Sequence, residues 1–67
     1  MSQEVSLDRQ QQAVRRELNM RQRVYPRWVA NGKMTQAKAD EEIAAMAAVL
    51  RTLERLVLEA QPQQPLL

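Results

Sequence analysis

The sequence predicts an all-α fold: a helical hairpin that dimerises into a four-helix arrangement. Three observations predict it. Long stretches on either side of residues 23–35 lack glycine and proline and are rich in Gln, Arg, Glu, Leu and Ala, the better helix formers. The single glycine, Gly32, falls between them, where a chain reversal needs it. Apart from one Trp and one Tyr, the apolar 45% of the chain is Ala, Leu, Val, Ile and Met with no Phe, which suits helix seams better than a thick core. A chain of 67 residues is then one domain at most, close to the lower limit of self-sufficiency. Neither a disulfide nor a thiolate metal site can compensate, because cysteine is absent. Oligomerisation is the remaining remedy.

The first helix is expected from about Leu7, with residues 1–6 as a flexible N-terminus. Ser6 is the candidate N-cap, since its hydroxyl can accept an orphan amide, and Asp8 suits the helix dipole there. Leu7, Val14, Leu18, Tyr25 and Trp28 recur with helical spacing, while Gln11 and Arg21 interrupt the same face. Polar residues in a seam can specify register at some cost in stability. Pro26 then removes a backbone donor and disfavours helical geometry at Tyr25, so the helix is either kinked or broken there. A tight turn at Asn31-Gly32 ends it in either case.

Thr35 is the candidate cap of the long second helix, with Met34 stapling back near Ala39. Asp40, Glu41 and Glu42 are expected near its positive end. Ala39, Ile43, Met46, Leu50, Leu53, Val57 and Ala60 then follow in alternating steps of four and three, a heptad seam. Val49 and Leu56 widen this seam on one flank beyond what one partner helix covers. The predicted core and dimer seam is therefore Val14, Leu18, Ile43, Met46, Val49, Leu50, Leu53, Leu56 and Val57. The hairpin domain spans 7–60, and residues 61–67, with two prolines and no periodicity, read as a disordered tail.

Chemistry is conspicuous by its missing parts. Without His or Cys there is no Ser/His or Cys/His pair and no familiar metal cluster, and one glycine cannot build a phosphate loop. The expectation is a binding protein without cofactor, not an enzyme. No basic, apolar leader opens the sequence, and no apolar run approaches the ~20 residues of a membrane span. A cytoplasmic location follows as the expectation. Charge is lopsided: residues 1–38 hold eight Lys and Arg against three Asp and Glu, a net +5, whereas residues 39–67 hold two against five, a net −3. The halves either attract each other or the basic half meets an acidic partner. Phosphate contacts by Arg15, Arg16 and Arg23 are weighed against Glu17 in their midst, and nucleic acid ranks second to a protein partner.

Residues 23–35 gather Arg23, Tyr25, Arg27, Trp28 and Lys33, the residue types that concentrate binding energy at protein interfaces. They are the candidate partner-binding set. The competing reading, favoured for the aromatics, is that Tyr25 and Trp28 fill the core at the hairpin end.

Val24-Tyr25-Pro26, Trp28, Gly32, Met34-Thr35, Ala39, Glu42-Ile43, Met46 and Leu50 form a further pattern. In these residues the segment from Arg23 to Leu53, roughly half the chain, resembles short, largely uncharacterised helical proteins of bacteriophages and prophages. The resemblance implies a phage context in a bacterial host cell. It also implies host takeover: inhibition of a host protein, such as a quorum-sensing transcription activator, a pilus assembly ATPase or a defence nuclease. A structural subunit of a phage assembly is the other reading of that context. No binding residue is carried over from the family.

Overall fold

A computed structural model describes residues 4–61. Two α-helices, α1 (Leu7–Ala30) and α2 (Gln36–Ala60), make up the hairpin. At 1.5 Å per residue each is about 36–38 Å long. They run antiparallel: Arg15 of α1 meets Glu54 of α2, and Arg21, further along α1, meets Glu42, earlier in α2.

Each helix begins on a hydroxyl cap. Ser6 Oγ accepts the Arg9 amide at 3.1 Å, and Thr35 Oγ1 accepts the Lys38 amide at 3.1 Å. The Val5 carbonyl accepts from the Gln10 side chain at 2.8 Å, so residues 5 and 6 are tied to the first turn. Residues 1–3 of the expected flexible N-terminus lie outside the described residues, as do residues 62–67 of the expected tail. Gln61 caps α2 in an extended conformation.

The reversal is a Schellman closure. The Lys33 amide donates to the Trp28 carbonyl at 2.8 Å and the Gly32 amide to the Val29 carbonyl at 3.1 Å. Gly32 takes the left-handed conformation this requires, with φ 74°.

Of the two outcomes left open at Pro26, the structure has the continuous one: α1 runs unbroken to Ala30, with Tyr25 helical inside it. Pro26 is exposed, as is Gln22, whose carbonyl has lost an amide partner, so water can replace the missing bond. Asp40, Glu41 and Glu42 do not sit in the first turn of α2, which contains no acidic residue. With Thr35 as cap, Asp40 is already the fifth helical residue, past the turn where the dipole acts strongly. Their carboxylates are used within the helix instead: Asp40 accepts from Gln36 at 2.9 Å and Glu42 lies 3.7 Å from Lys38.

The core is thin. Leu18, Tyr25 and Ala39 are the only buried residues among those described. Val14, Ile43, Met46, Leu50, Leu53 and Val57 line the seam half-buried. Ala39, only 2% exposed, marks close approach of the helices beside the elbow.

Gly32→Ala should destabilise by about 1–2 kcal/mol in denaturant unfolding, from backbone strain alone. An added Cβ meets nothing within 4 Å. Pro26→Ala should do the reverse, stabilising by about 1–3 kcal/mol as the Gln22 carbonyl regains its donor. Both are to be read at one protein concentration, because association shifts apparent stability.

Candidate functional site

At about 100° per residue, the two measured cross-helix contacts fix which residues share a face. Arg15 and Glu54, 2.9 Å apart, mark one broad face of the hairpin. Arg21 and Glu42 mark the other. On that second face α1 places Val24 and Trp28, and α2 places Ala45, Val49, Thr52 and Leu56 (residues four and three apart).

Beside Glu17, Arg21 and Glu42, which are bonded within the hairpin, this second face is apolar and open. Trp28 is 41% exposed, Val49 45% and Leu56 37%. Thr52 turns its hydroxyl back onto the Ala48 carbonyl at 3.1 Å, so that polar group is already satisfied within the helix. Val49 and Leu56, placed in the seam by sequence, thus form its uncovered flank.

The aromatic pair is divided between core and surface. Tyr25 and Trp28 stack with centroids 5.4 Å apart and planes 28° from parallel. Tyr25 is buried, so its ring serves the hairpin core, and Trp28 lies over it half in solvent. The Schellman bond to the Trp28 carbonyl and the stacked Tyr25 ring hold Trp28 from two directions. An aromatic side chain held in this way loses little entropy when covered.

The five predicted partner-binding residues therefore do not make one surface. Arg27 lies about 100° around α1 from Trp28, and Arg23 about 140°, so both point outward from the hairpin. Lys33 sits exposed at the turn. What the structure joins to the aromatics instead is Arg21. Its Nε donates to Glu17 at 3.1 Å, its Nη1 donates to the Glu42 carbonyl at 3.1 Å, and its guanidinium lies 5.8 Å from the Tyr25 ring centre. Sequence reasoning saw Arg21 only as a polar intruder in a seam. The readable signal was Glu17, Arg21 and Tyr25 at successive four-residue steps, which stacks all three on one side of a helix.

No three acidic side chains converge to hold a metal ion among the described residues. No described helix is long and apolar enough to cross a membrane. No protein-family model, no curated protein and no solved structure matches the chain.

Arg21→Ala should cost about 1–2 kcal/mol, since it removes two hydrogen bonds and a cation–π contact from a side chain only 18% exposed. Arg15→Ala removes an ion pair in which both side chains are more than 40% exposed, and should change stability by less than about 0.5 kcal/mol. Equal losses for the two would remove Arg21 from the role of latch.

Proposed function

We propose that the protein is a non-enzymatic binding protein that acts as a dimer of hairpins and engages another protein of a bacterial host. One observation supports this most directly: Trp28, Val49 and Leu56 lie exposed on a single face of a hairpin with three buried residues. Two packed layers are the usual minimum around a hydrophobic core, and one hairpin is one layer. A second copy supplies the missing layer. A two-fold axis through the middle of the face sets the Trp28 end of one hairpin over the Leu56 end of its partner, an isologous four-helix arrangement.

The phage and prophage context expected for residues 23–53 is the motive for taking a host protein as the target, and inhibition as the effect. A quorum-sensing activator or a pilus assembly ATPase is the kind of target this reading names. The elbow, with Lys33 exposed, is the surface offered to it, and Trp28 joins it where pairing leaves that ring uncovered. A dimer presents that surface twice, which favours an oligomeric target through avidity.

Sedimentation at micromolar concentration should give a dimer. Leu56→Asp should shift it to monomer while circular dichroism shows retained helix, since Leu56 is exposed in the single hairpin and becomes buried only on pairing. A wild type that sediments as a folded monomer would refute the pairing. Trp28, the only tryptophan, separates its two possible roles by fluorescence. Emission that moves to the blue with rising protein concentration assigns it to the dimer face. Emission that moves only when a host protein, captured from lysate and purified, is added assigns it to the target. Capture that survives Trp28→Ala undiminished removes Trp28 from the target site.

A further inference from the structure

Arg9, Arg16, Arg23 and Arg27 stand at seven, seven and four residues' spacing, and all four are exposed. At about 100° per residue they fall within about 40° of one line along α1, the line facing directly away from α2. The strip is about 27 Å long, with its first three arginines about 10.5 Å apart. None of the four joins an ion pair among the described residues, whereas Arg15, Arg21, Lys38 and Arg55 each do. The cations that hold the hairpin together and the cations on this strip are separate sets.

Between the arginines the strip offers Gln12, Ala13, Asn19 and Met20. A shallow cleft runs beside it, lined by Ala13, Arg16, Glu17, Asn19, Met20 and Arg23. The carboxylates at the strip's edges are Glu17, already held by Arg21 at 3.1 Å, and Asp8, in the first turn beside Arg9. Glu17 thus does not neutralise the strip, although sequence order places it beside Arg16.

We propose that the outward face of α1 is a docking strip for the phosphate backbone of duplex nucleic acid. Charge complementarity selects the class: a line of unpaired guanidiniums, with no carboxylate of its own, fits a regular polyanion. A protein partner is the weaker fit, because interface cores are built on aromatic or large apolar anchors and this face has none beyond Met20. A single strand is the weaker fit among nucleic acids, because such sites stack bases on aromatic side chains. Both aromatics of this chain are elsewhere: Tyr25 is buried and Trp28 lies on the pairing face. The duplex has one charge per ~1.7 Å of axis with both strands counted, so a span as long as the strip carries about 16 phosphate charges around its circumference, ample for four guanidiniums on one side to find phosphate oxygens. Binding of this kind positions a protein on a duplex without reading its sequence.

The inference stands apart from the pairing face, which lies about a quarter-turn away around α1. The test titrates the full chain against a 20-base-pair duplex of mixed sequence, as DNA and as RNA, from low to physiological salt. Four phosphate contacts give a log–log salt slope of about −3.6 per chain. Arg9→Gln with Arg16→Gln should weaken binding about tenfold or more at low salt and flatten the slope by about 1.8. Arg9→Lys with Arg16→Lys, which keeps the charge, should recover most of both. Arg51→Gln with Arg55→Gln on α2 should leave both unchanged. Circular dichroism confirms that the variants remain helical, as expected for exposed side chains of which only Arg55 has an ion-pair partner, the equally exposed Glu59.

Binding to either duplex with this pattern supports the proposal, and the pair of duplexes shows whether DNA or RNA is preferred. Failure to bind either duplex at low salt overturns it, as does undiminished binding by the Arg9→Gln, Arg16→Gln variant or an equal loss in the α2 variant. Tighter binding of the single strand overturns the duplex assignment. Displacement of the duplex by poly-glutamate at equal charge concentration turns the strip into a site for an acidic protein.

Discussion

The left-handed backbone at Gly32 is the constraint on which the rest of the hairpin depends. It lets the Lys33 amide reach back to the Trp28 carbonyl and end α1 within a single residue of Ala30. Because α2 then starts on Thr35 with no slack, the vertical register of the two helices is set before any side chain meets another. Arg21 lies level with Glu42 and Arg15 level with Glu54 as a result. A longer or looser connection would leave both pairings to chance, and the exposed pair alone is too weak to restore them. Arg21 is the stronger check on register, since it spends one donor on a side chain of its own helix and one on the backbone of the other.

A helix in a two-helix protein has one neighbour and several sides without one, and the sequence assigns α1's sides to different chemistry. Leu18 and Tyr25 go to the neighbour. A quarter-turn away, Trp28 and Val24 join an apolar surface completed by α2. The side facing away from α2 is cationic, and its arginines join no ion pair among the described residues. The lopsided charge seen in the sequence is therefore only partly spent between the halves: two arginines of α1 reach α2, and the outward line does not.

Much of the architecture was legible because its causes are local. Both caps, the glycine reversal and the heptad seam of α2 follow from residue types at fixed offsets, and the structure has them where the sequence implies them. Phase around α1 was harder. Residues three apart differ by about 60° on a helix, so sequence cannot say which of Tyr25 and Trp28 turns inward without knowing where α2 lies. The same uncertainty grouped Arg23 and Arg27 with Trp28, though linear neighbours on a helix point different ways. Pro26 left two outcomes open for another reason. Its cost is real, but it falls on an exposed side where water can satisfy the Gln22 carbonyl, and a sequence rule for helix interiors assumes no such exit.

The three buried residues are unevenly placed along the hairpin. Tyr25 and Ala39 lie near the turn and Leu18 at the middle of α1, whereas the far end holds Leu7 and Val57 half-exposed beside an open crevice. Such a molecule behaves as a zip with a fixed end. Its contacts nearest the elbow join residues close in sequence, so they form first and quickly at small loop-closure cost. Opening runs the other way, from Leu7 and Ala60 inward, with the lowest free energy at the far end. Amide hydrogens near Ala39 would then exchange only on global unfolding, and those beyond Leu53 on fraying. An association event at the far half of the hairpin would be felt as a slowing of exchange along the helix and not as a change of shape.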